Sequence, residues 1–332
     1  MSPERLLNRC ADLAYLPPWS RFAPCWSSGD RVILLYHRVV ETRAGADFID
    51  RFGAPPITVA EMVGEIRRLR SLGAEFMTAE DFLARREPRV GRFAVLVTFD
   101  DGLADTYHVA LPTLAREGVP ALVFQIAQII DSAELLWEHA LYFAASTEDG
   151  GRVLRSALEP DFADAAGTMA AVLVERLRDR LTPARALEVV GTLNDALKGE
   201  AASMAAAARR LYPSATDIRQ AVASGHEVGS HGWRHLRMSR LPATEQQVEL
   251  EHSHERIAAA SGRPPRHFSY PFSDYAPGIH AEALCRYEHV FTVAQRAAVD
   301  ADAHARVWPR ITWMGPFPYA ARRERWLRTG RI

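Results

Sequence analysis

Residues 93–99 read FAVLVTF and run straight into Asp100, Asp101 and Gly102. A strand with one wet face alternates apolar and polar residues, but here both alternating faces are apolar. That is the pattern of a strand covered on two sides, as in a parallel sheet flanked by helices. The two carboxylates at its carboxyl end are expensive to bury unless a cation neutralises them, so the strand end is a candidate for chemistry. Similar runs occur at 32–36 (VILLY), ending at His37, and at 121–124 (ALVF). Shorter strands are predicted at 227–228, 268–270 and 290–293, with helices over 105–117, 218–223 and 279–286 between them. Thr58 with Glu61 reads as a capping box that opens a helix bearing Met62, Ile66 and Leu69 on one stripe and stopped by Gly73. Thr244 with Gln247 reads the same way. Strands alternating with helices predict an α/β sheet with right-handed crossovers, open or closed into a barrel.

The 332 residues give a prior of about two domains, and one enlarged barrel fits as well. With 48% hydrophobic and 24% charged residues the chain can bury a large core without disulfides or a structural metal, which excludes wholesale disorder. A net charge of -1 supplies no long-range field for a polyanion, so nucleic acid is not the expected partner; a small or neutral one such as a sugar is. Cys10, Cys25 and Cys285 form no CxxC pair, and their odd number argues against a disulfide framework. Charged residues interrupt every apolar stretch near the amino terminus, and no stretch approaches the roughly 20 apolar residues of a membrane span. The resulting expectation is a cytoplasmic protein. Between 131 and 214 the β signal fades into Ala-rich and Leu-rich helical pattern, read as a helical insertion.

If extended geometry persists, Asp100 and Asp101 point in opposite directions, so that one can bind a metal while the other faces a substrate or a base. Gly102 allows the sharp turn that follows. His231 and His235 stand four apart in GSHGWRH, a spacing that brings both imidazoles to one ion across a helical turn. One carboxylate and two histidines suit Zn²⁺ or another divalent transition metal, with positions left for water and substrate. Trp233, Tyr270, Phe272, Tyr275, Trp308 and Trp313 are candidates to line a sugar site, with core packing the better reading for Trp308 and Trp313. His252 and His254, two apart in a polar helix, are read as solvent-exposed.

These elements resemble the NodB-type polysaccharide deacetylases of carbohydrate esterase family 4. TFDDG at 98–102 looks like the first family motif, and the segment from His231 to His235 looks like the second, with Gly232 in the usual Ser/Thr position. The resemblance implies that Asp100 is the general base and that Asp101, His231 and His235 hold the metal. FSYPFSDY at 268–275 is similar to the third motif, with Ser273 in place of the usual glycine, and implies that the Phe272 N–H faces the oxyanion. The expected carboxyl-terminal Leu-x-His is absent from the sequence. LLYHRV at 34–39 instead resembles the circularly permuted exopolysaccharide-deacetylase branch, in which the acid histidine lies on an amino-terminal strand, here His37. Family members tether the base with an arginine, and Arg266 and Arg310 compete for that place.

The fold implied is α/β, a distorted, incomplete (β/α)7-type barrel. It would comprise residues 31–130 and 215–332, with 1–30 as an amino-terminal extension and 131–214 as a helical insertion that offers a surface for self-association. The implied activity is metal-dependent removal of an N-acetyl group from an amino sugar in a glycan or glycan precursor. Zn²⁺ is the first-choice ion, and Co²⁺, Ni²⁺ and Fe²⁺ can use the same ligands. A deacylase or deformylase of a nucleotide-linked or lipid-linked sugar, and a catalytically degenerate glycan-binding barrel, are the alternatives.

Overall fold

The computed structural model describes residues 31–43, 47–51, 56–90, 92–274, 277–293 and 306–312. Tyr275, Trp313, Cys10, Cys25 and the extension 1–30 lie outside them. Ten strands are described: β1 (Arg31–Tyr36), β2 (Val39–Val40), β3 (Ile57–Thr58), β4 (Ala74–Phe76), β5 (Phe93–Phe99), β6 (Ala121–Gln125), β7 (Glu227–Ser230), β8 (His267–Ser269), β9 (His289–Val293) and β10 (Val307–Thr312). Parallel pairings run from β5 through β6, β7, β8, β9 and β10 to β1, and β1 pairs again with β5. β4 lies beside the start of β5. The ladders are uneven. β1 follows β5 from Arg31↔Ala94 to Tyr36↔Phe99, whereas β7 and β8 share only Ser230↔Phe268. This is the expected distorted, incomplete barrel.

The apolar character of both faces of β5 now has its cause. Phe93, Val95, Val97 and Phe99 pack outward with Val32, Leu34 and Tyr36 against Met62, Ile66 and Leu69 of the helix Val59–Ser71. Ala94 and Leu96 point into the barrel with Ile33, Leu122, Phe124 and Phe291. Every residue of β5 is buried. The helix Val59–Ser71 begins with the predicted capping box of Thr58 and Glu61.

Two helix starts differ from expectation. The helix Ala243–Ser261 begins two residues early, with Pro242 at its cap and no side-chain capping bond, so Thr244 lies inside the first turn. Proline's fixed φ suits that entry, and the apparent capping box is not used. The helix after the DDG turn carries a widened turn at Thr106–Ala110 before it tightens at Leu111–Arg116. The Leu111 N–H reaches back to the Thr106 carbonyl, and Pro112 beside it has no N–H to continue the ordinary ladder.

Between β6 and β7 lie the helices Trp137–Ser146, Glu148–Leu158, Ala170–Arg180, Pro183–Ala196 and Ala201–Leu211. Their buried faces, including Leu141, Leu154, Leu173, Leu177, Val189 and Leu193, share one core with Phe268, Tyr270 and Tyr287 of the barrel side. The helical insertion therefore shares a core with one side of the barrel. Among the described residues, no helix is long and apolar enough to cross a membrane.

Candidate metal centre

Parallel strands deliver their carboxyl ends to one rim, where His37 follows β1, Asp100 and Asp101 follow β5, and His231 follows β7. The register Tyr36↔Phe99 continues one step further, with the Asp100 N–H donating to the Tyr36 carbonyl at 3.0 Å, and so sets His37 beside Asp100. Arg38 locks this strand end by donating from Nε to Asp105 Oδ2 at 2.7 Å and by pairing with Asp50. At the end of β5 the chain turns through φ 69° at Asp101 and 64° at Gly102, and the two carboxylates meet different partners on either side of His231. A Cβ at Gly102 would meet the end of the Gln125 side chain, so a substitution there must displace Gln125 as well as adopt a left-handed backbone.

Asp100 turns into the barrel. Arg310 Nη1 donates to its Oδ1 at 2.6 Å and Nη2 to its Oδ2 at 2.8 Å, a two-pronged clamp. Arg310 is 0% exposed, donates also to Ser269 Oγ at 2.6 Å, and lies over the Phe124 ring at 5.0 Å. Burial alone would raise the Asp100 pKa, but the Arg310 guanidinium outweighs it and, with His231 and His37 adding, holds it down at about 2. Arg266 is not part of this site. It stands at the start of β8, the opposite end of the barrel, and donates to Glu288 at 2.8 and 2.6 Å.

The ligand atoms of Asp101, His231 and His235 lie within 4.8 Å of one another. Asp101 Oδ1 is 3.8 Å from His231 Nε2 and 3.6 Å from His235 Nε2. His231 Nδ1 donates to the Ser269 carbonyl at 2.8 Å, and His235 Nδ1 donates to Glu138 Oε2 at 2.6 Å. Both partners only accept, so each ring carries a proton on Nδ1, which leaves Nε2, on the Asp101 side, as the nitrogen that can bind a cation. Burial pushes His231 down to about 4, which leaves it a neutral ligand at neutral pH. Burial also opposes a charge on His235, but Glu138 outweighs it and raises the pKa. Two imidazole nitrogens and a carboxylate oxygen converging on one point fit a divalent transition metal. The base side borders this set, with Asp100 Oδ2 3.8 Å from His231 Nε2.

The departures from the family motifs follow from backbone geometry. Gly232 sits at φ 81°, where glycine is at ease, and donates its N–H to Ser230 Oγ at 3.2 Å. Phe272 and Ser273 both adopt positive φ, 57° and 52°, so Ser273 takes up a conformation that glycine would favour. The Phe272 ring rests 4.6 Å from the His235 ring, beneath the Arg237 guanidinium at 4.4 Å, so this turn packs its side chain on a residue of the triad. Of the other aromatic candidates, Tyr270 is buried and bonded to His280, and Trp308 packs on Phe82 and donates to His289. Trp233 is half-buried and meets His252 edge-on. His252 is exposed as expected, whereas His254 is half-buried against Tyr287.

Sequence reasoning missed Glu138 and Arg178. A signal for Glu138 was present, since it is the only charged residue but for His139 in the apolar run LLWEHALYF at 135–143. Arg178 carried none.

The family model described as polysaccharide deacetylase matches residues 88–160 and 189–285, just over half of the chain. A search of curated protein sequences finds no match. Among solved structures, IcaB from Ammonifex degensii is similar at 19% identity and a TM-score of 0.54, over 89% of this chain and 97% of that one. The Streptococcus pyogenes deacetylase PplD, solved with acetate, is similar at 13% identity and 0.55, over 90% and 98%. A polysaccharide deacetylase from Bacillus cereus is similar at 13% identity and 0.53, over 88% and 68%. At such identities the likeness is one of fold.

Proposed function

This chain belongs to the polysaccharide deacetylase family, and from that premise we propose that it hydrolyses the N-acetyl group of an amino sugar within a glycan or glycan precursor. The observation that carries this reading is the division of labour between two adjacent carboxylates. Asp101 converges with His231 and His235, while Asp100 is withdrawn onto Arg310. A divalent ion, zinc by preference for this donor set, would polarise the amide carbonyl and lower the pKa of water at Asp101, His231 and His235.

The remaining work falls to the chain's own groups. Asp100, kept ionised by Arg310, accepts the proton of the attacking water as its oxygen bonds to the acyl carbon. The Phe272 N–H, on the turn packed against His235, donates to the oxygen that gains charge. His37, beside Asp100 at the end of β1, gives a proton to the nitrogen as the C–N bond breaks, so that acetate and a free amine leave. The position of His37 on the first barrel strand supports placement in the circularly permuted branch. The test is amine release from N-acetylated and N-formylated amino sugars, as monomers and as oligomers, by the zinc-loaded chain. Zinc-dependent release from N-acetyl substrates is expected. A chain that binds zinc but releases no amine from any of them overturns the reading.

A further inference from the structure

His231 is oriented from the barrel by the Ser269 carbonyl, whereas His235 is oriented from the helical insertion. Glu138, on the helix Trp137–Ser146, is 4% exposed and has its carboxylate fully engaged. Its Oε2 accepts from His235 Nδ1 at 2.6 Å, and its Oε1 accepts from the Tyr142 hydroxyl at 3.1 Å. Arg178 Nε, from the helix Ala170–Arg180, lies 2.7 Å from Oε1. That second helix is in turn fastened to the histidine loop. Arg237 donates to the Arg178 carbonyl at 3.0 Å and to Asp179 Oδ1 at 2.8 Å, and Arg240 donates to the carbonyls of Asp179 and Leu181 at 2.7 and 3.1 Å. Arg178 and Arg237 also lie over the Phe272 ring at 5.4 and 4.4 Å.

A buried carboxylate without a cation is strongly disfavoured. Arg178 therefore stabilises Glu138 as a carboxylate, and Glu138 fixes the ring and tautomer of His235. Such outer partners usually change metal affinity about 10- to 100-fold when removed. Residues 161–188, which include Arg178, fall in the gap of the family match, so half of this device comes from a stretch that the family model does not cover.

We propose that Glu138, clamped by Arg178, is a positioning residue for His235, and that the helical insertion thereby governs how tightly this chain holds its metal. The inference rests on the proposed metal-dependent hydrolase, but its test is read without turnover. Zinc affinity of the full chain is measured by competition with a fluorescent chelator, together with the melting temperature of the metal-free form. Glu138→Ala is expected to weaken zinc binding 10- to 100-fold. Glu138→Gln, which keeps an acceptor for the His235 Nδ1–H, should weaken it less. Arg178→Met, which leaves the carboxylate in place but unclamped, should fall between Glu138→Gln and the unaltered chain. If Glu138→Ala fails to fold, the other two variants decide. Zinc affinity unchanged in the folded variants overturns the inference and leaves the hydrolase reading intact. An unaltered chain that takes up no zinc overturns both.

Discussion

Asp100 and Asp101 are neighbours in sequence with opposite surroundings, and the difference is set by single partners. Arg310 holds Asp100 at about 2 against the pull of burial, so its ionised form is already complete well below neutrality. The sign follows from the depression. Ion pairing with Arg310 favours the fold above the ordinary aspartate pKa of about 3.9, and that contribution is lost as pH falls towards 2. In Arg310→Met, burial of Asp100 loses its main opponent, and an acidic limb in the pH–rate profile should move upward. An unshifted limb would remove Arg310 from this role. Asp100→Asn should keep zinc yet lose about 10²- to 10⁴-fold in kcat, as expected for loss of a general base. His37→Ala should slow amide cleavage while leaving zinc affinity unchanged, and equal zinc loss in that variant would contradict its assignment as the acid. At this scale the sequence was largely legible, because DDG and GSHGWRH carry their chemistry within a few residues. Choosing between Arg266 and Arg310 was not legible, because only the barrel's closure shows which arginine lies on the inner face at the site's end.

The elements differ in how much of their cause is local. The helix Val59–Ser71 was readable from Thr58, Glu61 and its apolar stripe, and Thr58→Ala should cost about 1 kcal/mol in thermal or urea unfolding. The helix Ala243–Ser261 was misread at its start, because Pro242 offers a competing entry that a capping-box pattern does not weigh. β4, with three residues, is too short to show a period and owes its place to its pairing with β5 and to its packing on the helix Val59–Ser71. The turn after β5 combines local and distant demands. Gly102→Ala meets both a positive φ and the Gln125 side chain, which is itself bonded to Tyr107. It should displace Asp101 and lower zinc affinity, a loss visible in the same chelator competition.

Over the whole molecule, the rim of parallel strands was foreseeable from the alternation of strands and helices, and the helical character of 131–214 from composition. Its importance to the site was not. Glu138 and His235 are 97 residues apart, and no local pattern joins them. The joining is done by packing, since the insertion helices share a core with Phe268 and Tyr270 of the barrel. Leu173→Ala, at a fully buried position in that core, should cost about 2 to 5 kcal/mol of stability in denaturant unfolding. If the insertion unfolded separately, the same substitution would instead produce a second, earlier transition.

The account stands on a cation bound where the turns after β5 and β7 meet. Anomalous diffraction from zinc-loaded crystals addresses it most directly. A single strong peak bounded by Asp101 Oδ1, His231 Nε2 and His235 Nε2, with Asp100 still on Arg310, is the predicted result. A peak that leaves Asp101 outside the coordination sphere, or one in which Asp100 has left Arg310 to bind the ion, would contradict it.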